Sequence, residues 1–423
     1  MTTTRPSARR TARTPATEPL RTPQARPAAH PASNPGAQPA AHPRRAVVAV
    51  QRVFGAENPN FYLLLGTTLF LVIFGLVMVL SSSSVEVGAR TGDFFASFQR
   101  QGFYAILGVP LMLVASRVPA VFWKRAAWAA LIGTSVLQLA VFIPGVGINY
   151  QGNQNWIHIG SFTAQPSELV KLSLALWLGW VLAAKQNLLG DWKHVFIPIG
   201  PVAAVAIGLV LLGKDLGTAL ILLSIVLGCL FYGGVRLRIL GAAIGIVGFV
   251  VFLFTRFSSN RTNRIDAWLS GCTSKSDQLG TCWQTIHGWW GIASGGIFGS
   301  GLGESKVKWS WLPEADNDFI FAIIGDELGL IGAIVVLVLF VVLALSFIRI
   351  IRASDDPFVR VSTSGIMIWI IGQAFVNIAV VLGLLPVLGV PLPLISAGGS
   401  SLIASLVGIG IVLSYARHTP VKL

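Results

Sequence analysis

The acidic side chains of residues 312–329 (LPEADNDFIFAIIGDELG) are the group in this sequence with the clearest capacity for chemistry. Five carboxylates fall where a polar segment meets a long apolar run: Glu314, Asp316, Asp318, Asp326 and Glu327. Carboxylates at the mouth of a membrane helix are costly and are usually functional. The spacing predicts that Glu314, Asp318 and Asp326 share one helical face. Burial beside other carboxylates raises a pKa, so Asp318 is our candidate general base; a helix N-cap is the alternative.

A second charged group lies in residues 165–173, QPSELVKLS. Glu168 and Lys171 are three residues apart, so they share a helical face. Two interpretations stay open: an intrahelical ion pair that neutralises both groups, or a polar contact to a charged substrate. Lys214 and Asp215, in GKDLGTA, leave a similar choice between a helix cap and substrate contact.

Two lysines and two serines complete the candidate substrate contacts. Lys306 and Lys308 follow a glycine-rich run, GIASGGIFGSGLGES, and are candidates to bind a lipid-linked phosphate, although a charged outer loop is an adequate alternative. The run matches neither a phosphate-binding P-loop nor a dinucleotide fingerprint, which argues against a nucleotide site. Ser396 and Ser400 are small residues at helical spacing that permit close helix approach, and we include their hydroxyls among the candidate contacts.

The elements that must position these side chains are membrane helices. Of the 423 residues, 54% are hydrophobic and 11% are charged, against about a quarter charged in soluble domains. The apolar runs are near-continuous, unlike the alternating strands of a membrane β-barrel. Residues 1–52 contribute nine arginines to a net charge of +14, which indicates a cytoplasmic flank rather than a nucleic-acid partner. Residues 1–55 predict a disordered cytoplasmic tail.

Ten apolar segments predict an all-α polytopic membrane protein with ten transmembrane helices: 61–80, 102–118, 126–143, 169–184, 195–212, 216–235, 239–254, 319–347, 365–385 and 394–414. Loop charges place both termini in the cytoplasm. The membrane domain then spans 56–416, with a large extracytoplasmic loop, 257–317, between helices 7 and 8 and a short cytoplasmic tail, 417–423. In that loop Cys272 and Cys282 are able to form a disulfide, whereas Cys229 is a core residue.

These blocks, taken together and in this order, resemble the SEDS family (shape, elongation, division and sporulation proteins), bacterial membrane glycosyltransferases that polymerise peptidoglycan. The resemblance covers about residues 56–416 and rests on QPSELVKL, GKDLGTA, SGGIFGSGLG, LPEADNDFIFAIIGDELG and the LP..G..LP..S.GGSS pattern. The family's essential aspartate falls on Asp318, and its glutamate and lysine fall on Glu168 and Lys171. The chain departs from the family at Asp316, commonly His, and at Lys214, usually Pro. The block KWSWLPEADNDFIFAIIGDELG, which contains Asp318, and the Arg-rich tail resemble the division branch more than the elongation branch.

The resemblance implies an inverting glycosyltransferase that polymerises lipid II on the outer face of the cytoplasmic membrane, at the division septum. Asp318 would be the base, and Lys171, oriented by Glu168, would stabilise the diphosphate with Lys214 or a divalent cation (Mg²⁺ or Mn²⁺), without a metal site in the protein. The implied partners are lipid II, undecaprenyl-diphosphate-linked glycan, a class B penicillin-binding protein, other division proteins and the lipid bilayer.

Three rival hypotheses are an elongation polymerase, a lipid II flippase and a non-enzymatic scaffold for the transpeptidase. A flippase predicts charges along a path through both leaflets. The polar clusters here lie mostly at the predicted outer helix ends, which favours chemistry at the outer face.

Overall fold

The computed structural model describes residues 58–91, 93–150, 153–160, 162–256, 259–308 and 312–418. Its helices, in chain order, are α1 Pro59–Thr91, α2 Ala96–Ala115, α3 Ala120–Leu139, α4 Pro166–Ala184, α5 Trp192–Leu212, α6 Leu216–Tyr232, α7 Leu237–Arg256, α8 Ser259–Leu269, α9 Lys275–Gln278, α10 Trp283–Gly295, α11 Ile320–Ala353, α12 Pro357–Met367, α13 Gln373–Val381 and α14 Gly399–His418. The predicted tail at 1–55 and residues 419–423 lie outside the described residues, so the predictions made for them stay predictions.

Each of the ten predicted apolar segments coincides with a helix or a continuous helical run. Within the described ranges, seven helices or helical runs are long and apolar enough to cross a membrane: α1, α3, α4, α5, α11, α12 with α13, and α14. Helices α6 and α7 are apolar but shorter. A continuous apolar run becomes a helix in lipid because its backbone groups must bond internally. The multi-pass helical architecture is confirmed, whereas ten spans and the sidedness of the termini stay proposals.

Helix α4 lies in the centre of the helical core. Nearly every side chain along it is buried, as expected for a helix that is apolar on all faces. It packs against α3, α6 and α12. A Cβ added at Gly179 would lie 3.1 Å from the backbone nitrogen of Ser362, so a glycine here permits the close approach of α12. Because α4 is central, its first residues are buried in the interior of the protein.

A small antiparallel sheet precedes α4 and corrects the all-α prediction. Strand β1 (Gly147–Tyr150) pairs with β2 (Asn153–Ile159), and β2 pairs with β3 (Phe162–Ala164). The sequence NQNWIHI alternates polar and apolar residues at its end, which is a strand signal that the all-α prediction did not take into account. The backbone N–H of Gln154 donates to the carbonyl of Gly213 (3.0 Å), so the sheet is attached to the end of α5.

The predicted polar loop at 257–317 contains secondary structure of its own. It contains α8, α9 and α10, which the apolar pattern did not predict. A disulfide joins Cys272 to Cys282, which confirms that pairing. Both cysteines are buried in a small apolar cluster with Ala267 and Ile286, separate from the main core. The disulfide and this cluster hold the helices of the loop together.

Helix α11 follows the acidic turn and is kinked at Gly329. This residue has φ of +65°, a conformation that glycine adopts without a Cβ penalty, and it separates residues 320–328 from the rest of the helix. Helix α10 packs along that first part. A Cβ added at Gly295 would lie 2.0 Å from the carbonyl oxygen of Gly325, so the two helices approach this closely only with glycine at that position.

Candidate active site

Asp318 lies in the turn directly before α11 and is anchored by α13. The side-chain amide of Asn377 donates to the carbonyl of Asp318 (2.7 Å) and to that of Val390 (2.8 Å). The interpretation of Asp318 as a helix N-cap is wrong, because Phe319 occupies that position and no side chain caps the helix. The side chain of Asn377 thus holds together the turn before α11 and the segment after α13.

The predicted common helical face of the carboxylates is also wrong. Glu314 lies in the turn before α11 with φ of +57°, outside any helix, while Asp326 lies inside α11. Helical spacing therefore does not relate these carboxylates, and the folded turn decides which of them approach Asp318.

The carboxyl group of Asp318 has a pKa raised to about 7. Burial contributes most, and the negative charges of Glu314 and Asp215 raise the pKa further. The guanidinium of Arg264 opposes them, and Asp316 adds a smaller increase. The side chain keeps partial solvent exposure. A carboxylate that is half ionised near neutral pH, and that a substrate can reach, meets the requirements of a general base.

Lys171 lies in a buried polar cluster between α4 and α13. Its Nζ donates to Oε1 of Glu168 (2.8 Å) and to Oε1 of Gln373 (2.8 Å). Lys171 and Glu168 are each 1% exposed. The indole N–H of Trp369 also donates to Oε1 of Gln373 (3.2 Å). The ion-pair interpretation of Glu168 and Lys171 is confirmed, and their contact with a substrate stays a prediction.

An irregular segment next to Lys171 contains Trp369 and ends directly before Gln373. Residues Ile368–Gly372 form a π-helical turn between α12 and α13, and such turns are frequent at functional sites. The side-chain amide of Gln373 also donates to the carbonyl of Pro391 (3.0 Å). The cluster around Lys171 is thereby connected to the segment that follows α13.

Asp215 connects three helix starts. Its Oδ1 accepts from the backbone N–H of Thr218 (2.8 Å), so it caps α6 as one of the two interpretations predicted. Its Oδ2 accepts from the side-chain amide of Gln165 (3.0 Å), whose backbone N–H donates to Oγ of Ser400 (3.1 Å). Burial raises the pKa of Asp215, although the hydrogen bond from Thr218 and the charge of Lys171 oppose this. The starts of α4, α6 and α14 are thus joined near Asp318.

Ser396 supports the acidic turn. Its hydroxyl donates to the carbonyl of Asn317 (2.7 Å) and accepts from the backbone N–H of Leu392 (2.8 Å). The backbone N–H of Ala397 donates to the carbonyl of Asp316 (2.9 Å). Ser396 is 4% exposed, so the structure gives it a role in holding the turn, while a substrate contact stays a prediction.

The predicted phosphate-binding lysines differ sharply in their surroundings. Lys306 is exposed, and so is Lys214, which has φ of +64°. Lys308 is 2% exposed and donates to Oε1 of Glu327 (3.0 Å) and to the carbonyls of Gly303 (2.6 Å) and Ser81 (3.2 Å). Lys308 therefore attaches the loop to α1 and α11, and its ammonium group already has three partners inside the protein.

The deeper carboxylates of the acidic stretch, Asp326 and Glu327, hold helices together. Glu327 accepts from the hydroxyl of Ser81 on α1 as well as from Lys308, and Asp326 accepts from the hydroxyl of Ser294 on α10. Neither carboxylate is available for chemistry at the turn.

Four residues of the site were not singled out by sequence reasoning as site residues: Gln165, Arg264, Gln373 and Asn377. Three of them are amides next to or inside apolar segments, where an unsatisfied polar group is costly. This cost indicates that each of these amides has a hydrogen-bond partner, but the sequence does not identify the partner. In the described part of the chain, no three His, Cys, Asp or Glu side chains are arranged to hold a metal ion.

The sequence matches the profile of a known protein family over most of its length. The profile of the family described as "Cell cycle protein", FtsW/RodA/SpoVE, matches residues 61–420. The chain belongs to this family. The SEDS resemblance found in the sequence is thereby confirmed, over nearly the range that the motifs covered.

Several relatives of this chain carry the name FtsW. The probable peptidoglycan glycosyltransferase FtsW of Mycobacterium tuberculosis is 37% identical over 366 residues, which are 86% of this chain and 69% of that protein. The protein of the same name from Geobacter metallireducens is 41% identical over 349 residues, 82% of this chain and 92% of that protein. The similarity to proteins named FtsW therefore extends over most of this chain.

Solved structures share the fold. A chain from a study of polymerization and crosslinking by a peptidoglycan synthase complex superposes with a TM-score of 0.68 at 25% identity, covering 84% of this chain and 96% of that chain. The rod shape determining protein RodA of Thermus thermophilus gives a TM-score of 0.63 at 25% identity, covering 87% and 100%. The membrane fold is RodA-like.

Proposed function

We propose that this chain is a peptidoglycan glycosyltransferase that polymerises lipid II into β-1,4-linked glycan strands during cell division. The observation that carries the proposal is Asp318, a partly exposed carboxylate with a pKa near 7 at the start of α11, in a member of a family whose relatives are named for this activity. An elongation polymerase or a flippase is not favoured by those relatives.

The reaction is a single displacement. The 4-hydroxyl of the incoming sugar attacks the anomeric carbon of the lipid-linked strand, Asp318 takes the hydroxyl proton, and the lipid diphosphate leaves with the electrons of the broken C–O bond. One base opposite the leaving group suffices for inversion of an α-linked donor. The raised pKa gives Asp318 the basicity for this step while it stays substantially ionised at neutral pH.

The positive charge of Lys171 supports the leaving diphosphate in this proposal. Lys171 is held by Glu168 and Gln373 close enough to Asp215 to affect its pKa, and Asp215 in turn affects Asp318. A fixed charge of this kind stabilises developing negative charge without reorganisation. Exposed Lys214 and Lys306 are candidates to meet the phosphates directly, with Ser400 at the start of α14.

Within the described ranges no three His, Cys, Asp or Glu side chains are grouped to hold a metal ion, so these residues do not fit Mg²⁺ or Mn²⁺ held by the protein alone, and we derive no step through either ion.

We infer ten membrane spans with both termini in the cytoplasm and residues 257–317 outside. The coincidence of all ten apolar segments with helices supports this topology, as does the disulfide between Cys272 and Cys282, since disulfides persist in oxidising compartments. Residues 56–416 then form the membrane domain, flanked by the tails 1–55 and 417–423, and the enzyme acts at the septal cytoplasmic membrane.

The proposed partner is a class B penicillin-binding protein that crosslinks the strands, together with other division proteins. The structural likeness to a chain of a complex that couples polymerization to crosslinking supports this partnership. The substrates are lipid II and the undecaprenyl-diphosphate-linked strand.

The test is a polymerisation assay with purified full-length protein and lipid II, with and without the transpeptidase. Asp318→Asn and Asp318→Ala are expected to lose at least about 100-fold in rate, the scale of general-base catalysis, while Glu304→Gln, an exposed acid of the same loop, stays active. Gel filtration and thermal unfolding control for folding. Full activity of a folded Asp318→Asn protein would remove Asp318 as the base, and lipid II flipping without strand formation in vesicles would replace the enzyme by a flippase.

A further inference from the structure

An aromatic cleft lies in the loop between α7 and α11, apart from the polar clusters already described. Its larger part is a cavity of about 490 Å³ whose walls include Trp283, Trp289 and Trp290. A smaller part, about 130 Å³, adds Trp268 and Arg264. The two parts share Gly271, Cys272 and Trp289, and we call them together the tryptophan cleft.

The walls of the tryptophan cleft are fixed in place. The disulfide between Cys272 and Cys282 lies in its wall. The indole N–H of Trp268 donates to the carbonyl of Gly383 (2.8 Å). A Cβ at Gly383 would lie 2.2 Å from the ring of Trp289, so this ring is in close contact with the segment after α13. Side chains that are already fixed lose little conformational entropy when a ligand binds, so the cleft is suited to ligand binding.

His287 braces two of the tryptophans. Its ring centre lies 3.9 Å from that of Trp283 and 4.7 Å from that of Trp290, and its Nδ1 is 2.8 Å from the carbonyl oxygen of Trp283. The outer ring of this stack remains accessible, since Trp290 is 58% exposed. The exposed ring of Trp290 is therefore available to contact a ligand.

The lining chemistry selects an uncharged, polar ligand with flat apolar faces. The larger part of the cleft is lined mainly by indoles, and its described lining residues include no Asp, Glu, Lys or Arg. The other side chains that line it are Thr273, Gln278, Leu279, Ile286 and His287, with the cysteine of the disulfide. Indoles combine a broad apolar face with a polar N–H edge. Pyranose rings offer the matching C–H faces and hydroxyl or acetamido edges. The volume also falls within the range of roughly 300–1,000 Å³ that ligand sites occupy.

Arg264 and residues 387–389 connect the tryptophan cleft to the Asp318 site. Arg264 lines its smaller part and donates from Nη1 to the carbonyl of Val387 (3.4 Å), and its charge acts on Asp318. Two residues beyond Val387, a Cβ at Gly389 would lie 3.6 Å from Oδ2 of Asp318. A chain of sugars leaving the bond-forming position would meet Arg264 first and the tryptophans next.

We propose that the tryptophan cleft binds the sugar backbone of the glycan strand a few residues away from the bond being formed, and so retains the strand between successive additions. The proposal rests on the proposed polymerase function and deepens it. Retention is separate from chemistry: a weakened cleft lets strands dissociate earlier without changing the groups at Asp318.

The binding test uses a β-1,4-linked N-acetylglucosamine tetramer and the full-length protein in detergent, followed by calorimetry. Wild type and Asp318→Asn are expected to bind equally. Trp290→Ala and Trp283→Ala are each expected to bind roughly threefold to tenfold more weakly, the loss of one aromatic contact, and Trp290→Phe is expected to restore most of the affinity. Phe298→Ala, which removes an 81% exposed aromatic side chain of the same loop outside the cleft, is the matched control.

The functional readout is strand length. The tryptophan variants are expected to consume lipid II at close to the wild-type initial rate and to produce shorter strands on gels, while Phe298→Ala produces strands of normal length. Unchanged tetramer affinity and unchanged strand length in folded Trp290→Ala would overturn the proposal. Loss of transpeptidase binding with unchanged tetramer affinity would instead make the cleft a protein-docking surface. Retained polymerisation activity in Asp318→Asn would refute the catalytic role of Asp318 but not the tryptophan cleft proposal, because tetramer binding does not require Asp318.

Discussion

The charges around Asp318 predict a pH profile whose midpoint moves in opposite directions on opposite substitutions. With a pKa of about 7, the carboxylate is ionised to roughly 9% at pH 6 and 91% at pH 8, so the initial rate at low lipid II should rise about tenfold between them. Glu314→Gln removes a negative neighbour and should lower the midpoint. Arg264→Gln removes a positive neighbour and should raise it.

The size of each displacement follows from Coulomb's law. A neighbouring charge that is partly screened by water contributes about 1 kcal/mol, which equals about 0.7 on the pH scale. The two variants should therefore have midpoints about 1.4 apart. Arg264→Lys keeps the charge and should keep the midpoint, and Glu304→Gln, an exposed acid without a part in the Asp318 titration, is the control for loss of any carboxylate.

Stability supplies a second readout that does not depend on activity. The folded pKa of Asp318 exceeds the ordinary value of 3.8, so the native state holds this proton more tightly than the unfolded state does. The contribution of Asp318 to stability is then complete below about pH 4 and is lost as pH rises through about 7. Asp318→Asn should be more stable than wild type at pH 8, with the difference vanishing at pH 4.

The assay is lipid II polymerisation from pH 5 to pH 9, with thermal unfolding on the same samples. A profile without an inflection near pH 7, a Glu314→Gln midpoint above that of wild type, or an Arg264→Gln midpoint below it would refute the electrostatic account of Asp318.

Two further predictions concern stability. Lys308→Met or Glu327→Gln breaks an ion pair whose side chains are 1% and 0% exposed, and each should lower the free energy of unfolding by about 3–5 kcal/mol. Lys306→Met, at an exposed position, should change it by less than about 0.5 kcal/mol. Equal effects of these variants in reversible detergent unfolding would show that burial of the pair is unimportant. Replacing both Cys272 and Cys282 by serine removes a disulfide between residues ten positions apart. The free energy of unfolding should fall by about 2–3 kcal/mol, and a double variant as stable as the oxidised protein would contradict this.

Local sequence was sufficient to locate the long apolar helices of the fold. Apolar runs located the membrane helices because a helix satisfies its own backbone in lipid, and that requirement depends on neighbouring residues alone. The position of Asp318 before such a run, the i,i+3 spacing of Glu168 and Lys171, and the nearness of Cys272 to Cys282 are local in the same sense.

Local pattern failed where short segments fold against distant ones. The strands before α4 are only three to seven residues long, too short to stand out beside strong apolar runs. The acidic turn before α11 looked helical by spacing, but hydrogen bonds from Ser396 and Asn377 hold it in another conformation.

The sequence by itself determined the class of protein, the apolar helices and the residue types available for chemistry. Only the tertiary structure decided their roles. Lys171 meets Gln373 across 202 positions of sequence, and Lys308 meets Glu327 and the α1 helix while Lys306, two residues earlier, stays exposed. A buried charge must find a partner wherever the fold brings one, and no local period encodes which partner that is.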